Sequence, residues 1–295
     1  MKGNSDVSFH AFIRGIIFIG FALLQLGMII SGSIRLYIAP TMLPFVYVAT
    51  VVLFLLGILQ VLRSTQKDME GFFCDCGEDH SMNGSPLTKI VIYSIFISPI
   101  IFGFSLPDQV LDSSVAANRG IQYGSGIFTS PTANPERIVT EKSIGEVAET
   151  EQEGSDGEKY DEYYKDLAQA YSDIDRIIIN EENFLEMLSV IDLYIDNFIG
   201  KEVEVTGFVY TEPEMKDNQL VVARFSMTCC IADATVYGIL IESEEPVDVE
   251  EDTWVTVHGK INKGSYNGFV MPTVSTTNIE QVSEPDMPYV FPSFK

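Results

Sequence analysis

Positive charge is scarce in this sequence. Its 18 Lys and Arg stand against 42 Asp and Glu, for a formal net charge of -24. So acidic a chain repels phosphate backbones and anionic lipid surfaces, which excludes nucleic acid as a partner of its polar part. Cysteine is scarce too. The chain has 4, in two close pairs, Cys74/Cys76 and Cys229/Cys230. That spacing is no disulfide framework, and adjacent cysteines bridge only with strain. Recurrent catalytic signatures are also missing. There is no GxGxxG, phosphate loop, HExxH or G-x-S-x-G, and Gly124-Ser125-Gly126 lacks the strand–turn–helix setting of a nucleophile elbow. With no triad or acid–base pair in view, the sequence reads as non-enzymatic.

What is present is apolar surface, in three runs. Mean hydropathy is +0.16 despite the charge, so an apolar half must be joined to an acidic one. Residues 11–31 are apolar apart from Arg14 and Gln25, residues 43–62 carry no charge, and residues 90–105 follow Lys89 with no further charge before Asp108. A bilayer core of about 30 Å needs about 20 helical residues, so each run predicts a transmembrane helix. The first is longer than a signal-peptide core, and a second span follows it. Pro99 inside the third run is tolerable where neighbouring groups satisfy the freed carbonyl. Lys2, Arg14, Arg63, Lys67 and Lys89 flank one side and only Arg35 the other. The excess of basic residues predicts that the N-terminus and loop 63–89 are cytoplasmic and the C-terminal domain extracytoplasmic.

After the third run the composition changes. Residues 107–180 read as a polar, acidic linker containing a helix near 158–176, where Tyr160, Tyr164, Leu167 and Tyr171 recur at helical spacing. A second helix is expected over 180–197, capped by Asn180, with Phe184, Met187, Leu188 and Ile191 on one face. Gly200 ends it. Five short strands follow, near 202–210, 220–228, 236–242, 254–261 and 269–279, with a turn over 263–268. Such spacing predicts a small closed barrel, OB-like in type, so that residues 181–295 form a helix-plus-barrel domain. The fold class expected is an α+β membrane protein. The segment 243–252 is barely long enough for the helix that an OB fold carries between its third and fourth strands, so the helix before Gly200 is the alternative closure.

Two clusters could hold a metal. Cys74, Cys76 and His80 offer two thiolates and an imidazole, a donor set suited to zinc or another divalent transition metal, though the spacing matches no standard finger. A reduced, solvated loop is the plain alternative. Cys230 and Asp233 lie where the second strand ends. A metal or redox role would explain a thiol there; Asp233 could equally close an Asx-turn. Cys229 is expected to be buried as a small apolar residue. His258 shares a strand face with Trp254 and Thr256 and reads as structural.

The segments CDCGEDH (74–80), LDSS (111–114), NFLEM (183–187), GKEVEVTGFVY (200–210), RFSMTCCIADATVYGILIE (224–242), WVTVHGKI (254–261) and PYVF (288–291) stand in order along the chain. In these it resembles the YcgQ-like family of bacterial membrane proteins, described as candidate subunits of a two-component permease. The resemblance implies a bacterial cell-membrane location, lipid contact, and a larger multi-span permease as partner, with this chain as accessory subunit. It also implies metal handling, since family members carry a His-rich, Cys-containing loop between the second and third spans. Here Asp and Glu stand in that loop and only His80 remains, whereas Cys230 and Asp233 fit the family pattern. A stand-alone metal-binding or metal-sensing membrane protein is the alternative function.

Overall fold

The computed structural model describes residues 2–65, 86–123, 128–129 and 156–292. These divide into two compact units, residues 1–109 and 110–295.

The first unit is helical. α1 spans Lys2–Ser31, α2 Leu43–Thr65 and α3 Pro86–Ser105, and all three are long and apolar enough to cross a membrane. Two 3-10 turns, Ser33–Leu36 and Pro40–Met42, reverse the chain between α1 and α2. Small residues let those helices approach closely. A Cβ on Gly57 would fall 2.6 Å from Ile19 Cγ1 and 3.1 Å from the Gly15 carbonyl oxygen. Within the same pair Thr50 donates to the Gln25 side-chain carbonyl at 2.8 Å. In a medium without water such a bond joins helices, since neither group has solvent as an alternative. α3 packs on α1, where Gly20 faces Ile100 and Gly103 faces Leu24, and His10 Nδ1 lies 2.7 Å from the Tyr93 hydroxyl. Large apolar side chains such as Phe45, Leu55, Ile95 and Phe102 point outward. α3 continues through Pro99.

The second unit is a sheet with helices. α4 (Ser113–Arg119) leads into β1 (Ile121–Tyr123) and β2 (Phe128–Thr129), then α5 (Asp156–Ser172), β3 (Arg176–Ile179) and α6 (Phe184–Leu193). Five longer strands follow: β4 (Glu202–Tyr210), β5 (Gln219–Ser226), β6 (Thr235–Ser243), β7 (Trp254–Tyr266) and β8 (Phe269–Gln281). β4 pairs antiparallel with β5, β5 with β6, β7 with β8 and β7 with β4, while β6 pairs parallel with β8. The pairings therefore return to their start. No helix stands between β6 and β7. α6 supplies Phe184, Met187, Leu188 and Ile191 to a core shared with Val203, Val205, Val222, Ile239, Val257 and Val274.

Several elements depart from expectation. Residues 110–123 have linker composition, yet Ala116, Ile121 and Tyr123 are buried and β1 pairs parallel with β6. The apolar positions there are too few for a periodic signal; neighbouring strands supply the partners. β3, parallel to β4, lies between the two expected helices, where the sequence indicated no strand. Asn180 does not cap α6. Its side chain accepts from the Glu182 N–H, Asn183 stands at the N-cap, and the helix starts at Phe184. The β7–β8 turn is tighter than the expected 263–268. Tyr266 pairs with Phe269 across Asn267 and Gly268, both at positive φ (50° and 84°), which is the two-residue hairpin that Asn-Gly favours.

Candidate functional site

Cys74, Cys76 and His80 lie outside the described residues, so only the second predicted cluster has a geometry. β5 ends at Ser226, and Met227 is tied to the C-terminal tail by its N–H to the Val290 carbonyl at 3.1 Å. The chain then turns outward. The Asp233 carboxylate accepts from the Thr228 N–H at 3.1 Å and the Cys229 N–H at 2.7 Å, closing the loop before a 3-10 turn over Ile231–Asp233. This brings the Cys229 and Cys230 sulfurs to 3.7 Å. The two sulfurs and a carboxylate oxygen of Asp233 lie within 4.8 Å of one another. The expectation that Cys229 is buried fails. Met227 takes the inward position, and Asp233 holds the Cys229 backbone at the surface, so the thiol is exposed.

Hydrogen bonding sets the protonation of this cluster. A hydrogen bond to the Asp233 carboxylate, then one to Cys230, pushes the Cys229 thiol up to about 12. Partial burial would raise the Asp233 carboxyl, but bonds from the Cys229 thiol and from the Cys229, Thr228 and Cys230 N–H groups outweigh it and hold the carboxyl below its ordinary value. A thiol ligates a metal ion only after losing its proton, so any affinity of this cluster for such an ion would rise with pH. Three donors fall one short of a tetrahedral set.

A second feature lies where β4 pairs with β5 and β7. Phe208 stands opposite Trp254 in the β4–β7 register and opposite Ala223 in the β4–β5 register, with Phe225 its diagonal neighbour. The Phe208 and Phe225 rings stack at 5.2 Å, Trp254 meets Phe208 edge-on at 6.2 Å, and Tyr289 meets Phe225 edge-on at 6.3 Å. Two segments distant in sequence cover these rings. The Leu111 N–H donates to the Tyr289 hydroxyl at 2.9 Å, and the Ser113 N–H and hydroxyl donate to the Asp252 carboxylate at 2.6 and 2.8 Å. Between rings and cover lies a cavity of about 150 Å³, with Asp252 and Glu284 among its walls. Burial raises the Glu284 carboxyl.

Sequence reasoning missed this cavity and two buried polar groups. Arg224, only 1% exposed, donates from Nε to the Thr206 carbonyl at 2.8 Å and stacks on Trp254 at 5.2 Å, while its Nη1 is 3.9 Å from a Glu181 oxygen and has no hydrogen-bond partner among the described residues. Buried Glu212 accepts from the Tyr266 and Tyr123 hydroxyls at 2.6 and 3.2 Å. The available signal was an aromatic on the outer, even-numbered face of β4 and again of β7. His258 stands 3.6 Å from Glu204, which also pairs with Arg176 at 2.7 Å, all on the surface.

Comparison with known proteins adds the family. Residues 13–122 match the DUF1980 N-terminal domain and residues 155–292 the DUF1980 C-terminal domain. UPF0703 protein YcgQ of Bacillus subtilis (strain 168) is 27% identical over 295 residues, covering 95% of this chain and 99% of the relative. A Streptococcus mutans protein, named as a candidate subunit of a two-component membrane permease complex, is 27% identical over 288 residues, covering 96% of this chain and 100% of the relative. Neither name is that of an enzyme. With both DUF1980 domains in order and relatives matched nearly end to end, the chain belongs to the YcgQ-like family of membrane proteins.

Proposed function

We propose that the chain is a non-enzymatic accessory subunit of a multi-span permease. The observation that carries this reading is the match along nearly its whole length to the Streptococcus mutans relative named for such a complex. The three apolar helices are the means of docking, since α2 and α3 present large apolar side chains that lipid or partner helices would cover. In this reading the three helices span the bilayer and deliver the second unit to the extracytoplasmic side, with loop 63–89 in the cytoplasm, as the distribution of Lys and Arg favours. The cyclic pairing of β4, β5, β6, β8 and β7 is read as an OB-like barrel plugged by α6. Its acidity gathers cations near the pathway through the surface field.

The test is purification of the tagged full chain in a mild maltoside detergent from cells expressing its membrane neighbours. A stoichiometric multi-span protein is expected to co-elute. Elution of the chain alone as a monomer would rule the subunit reading out. Orientation is tested with a membrane-impermeant thiol reagent on intact cells carrying only Cys74 or only Cys230. Labelling is expected for Cys230 alone, and labelling of Cys74 alone inverts the topology.

A second reading, a metal-binding or metal-sensing role, is favoured by the convergence of Cys229, Cys230 and Asp233. A fourth donor would come from water or a partner. Elemental analysis of the purified chain against Cys230→Ser and Cys74→Ser/Cys76→Ser separates the clusters, and equal metal content in every variant removes this reading.

A further inference from the structure

α1 packs on two neighbours and leaves two faces uncovered. Gly15 and Ile19 meet α2, whereas Gly20 and Leu24, on a different side of the helix, meet α3. The uncovered faces differ in chemistry. One carries Phe12, Ile16, Leu23 and Ile30, all exposed and all apolar. The other carries Arg14, Phe18, Phe21 and Gln25, which succeed one another at steps of three or four residues and so share one side of the helix. Arg14 and Gln25 are the only polar residues between His10 and Ser31.

Both polar groups lie inside the apolar stretch Phe9–Ser31, on either side of its midpoint at Gly20. Each is within about 10 Å of that midpoint along the axis, and half of a bilayer core is about 15 Å deep. Arg14 is exposed and makes no hydrogen bond or ion pair among the described residues. Thr50 engages one end of the Gln25 amide at 2.8 Å. Whichever way that amide is turned, its other end has no partner among the described residues. Groups of this kind are expensive in lipid and are ordinarily met by other protein. A lipid phosphate reaches Arg14 only where the side chain snorkels to the interface, and the same headgroup does not reach Gln25, about 16 Å further along the axis. A second copy of this chain brings no carboxylate, since none stands between Asp6 and Asp68 or between Asp79 and Asp108. A two-fold contact of parallel helices through this face would also bring two Arg14 side chains together.

We infer that the Arg14–Gln25 face of α1 docks a transmembrane helix of the multi-span partner, one that carries a carboxylate at the level of Arg14 and a hydrogen-bonding side chain at the level of Gln25. The face with Phe12, Ile16, Leu23 and Ile30 meets lipid. This inference rests on the permease-subunit reading and adds to it which face docks and what chemistry it meets. Arg14 supplies the charge that selects the partner helix, and Gln25 fixes its register.

The experiment uses the tagged full chain in cells expressing its membrane neighbours, with photoreactive benzoylphenylalanine in place of either Phe21 or Leu23. Irradiation is expected to join the Phe21 position to the multi-span protein and the Leu23 position to none. In a second arm the purified complex is diluted in maltoside and loss of the partner is timed. Arg14→Gln should speed that loss about tenfold or more, the range for a charge-assisted hydrogen bond, while Arg14→Lys keeps the charge and most of the retention. Lys2, Arg63, Lys67 and Lys89 remain in both variants to hold the orientation. Within this chain Gln25→Leu removes only the bond from Thr50, yet it should speed loss of the partner about threefold. Equal crosslinking from Phe21 and Leu23, or unchanged dissociation in Arg14→Gln, overturns the docking face and leaves the subunit reading standing. Crosslinking of the Phe21 position to a second copy, or to lipid alone, overturns it as well. A wild-type chain with no co-eluting partner removes the subunit reading and this face with it.

Discussion

The Asp252 carboxylate holds Ser113 with both oxygens, one on the backbone N–H at 2.6 Å and one on the hydroxyl at 2.8 Å. Asp252 does so from a left-handed backbone position, φ 63°, that few side chains tolerate. Losing the bonds should cost about 1.5–3 kcal/mol, the range for charge-assisted hydrogen bonds. Asp252→Ala loses them and keeps the backbone strain; Asp252→Gly loses them and relieves it. The expected stability order is Asp, then Gly, then Ala, measured by denaturant unfolding followed at Trp254. Hydrogen exchange at the Ser113 amide should speed up in both variants, and unchanged exchange would show that the tie is not maintained in solution.

Arg224 invites a different comparison. A buried guanidinium with one nitrogen lacking a hydrogen bond carries a desolvation cost that its partners only partly offset. Burial accordingly lowers its basicity. Arg224→Met, which fills the same volume without charge, is expected to stay within about 1 kcal/mol of the wild type or exceed it, whereas Arg224→Ala should lose about 3 kcal/mol through the cavity left behind. Glu181 is half-exposed at 3.9 Å, so Glu181→Gln should change stability by less than about 1 kcal/mol. A large loss in the Met variant would mean that the bond to the Thr206 carbonyl outweighs the desolvation cost.

Thiol reactivity tests the Asp233 cluster. The carboxylate keeps Cys229 protonated near neutrality, so alkylation at pH 8 should be slow although the thiol is exposed. Asp233→Asn removes the anion, returns the thiol toward its ordinary value and raises the thiolate fraction. Alkylation of Cys229 in a Cys230→Ser background should then accelerate roughly tenfold at this solvent-screened site. Equal rates would remove the hydrogen bond from consideration.

Alkaline pH probes Glu212. Burial first, and the Glu212 carboxylate next, push the Tyr123 and Tyr266 hydroxyls above their ordinary value of 10.0. The unfolded chain releases these protons near pH 10 while the folded chain retains them. Their contribution to stability is therefore complete below pH 10 and is lost as pH rises beyond it. Tyr266→Phe should cost about 1.5–3 kcal/mol at pH 8, for a bond to a buried carboxylate, and should flatten the decline above pH 10. Unfolding curves from pH 8 to 11 provide the check.

In the helical unit the close approach at Gly57 predicts that Gly57→Leu separates α1 from α2, because the added Cβ alone already overlaps Ile19. Disulfide trapping between cysteines placed on the two helices should fall several-fold. Gln25→Leu, which removes only the bond from Thr50, is expected to cost about 0.6 kcal/mol and leave trapping nearly intact.

Local pattern and tertiary arrangement divide cleanly in this protein. The apolar runs predicted α1, α2 and α3 because long apolar stretches with almost no charge have few other stable environments, and the alternation of Val203, Val205 and Val209 predicted β4. The same reasoning placed Cys230 beside Asp233, since a loop of four residues keeps them near whatever the fold. It misplaced Cys229, because Met227 takes the inward position and Asp233, by binding the Cys229 N–H, holds that residue at the surface. β1 and β3 were illegible. Each is at most four residues long and takes its stability from β6 and β4, not from its own pattern.

The amino-acid sequence by itself determined the segregation of apolar from acidic chain, the helices fit for a membrane and the succession of strands, all of them properties of neighbouring residues. Only the tertiary structure decided that Leu111 would meet Tyr289 across 178 residues, that Phe208, Phe225 and Trp254 would share one face, and that Arg224 would be buried behind them. The physical reason is register. Hydropathy sets which face of a strand is buried, but the pairing of distant strands sets which side chains meet there.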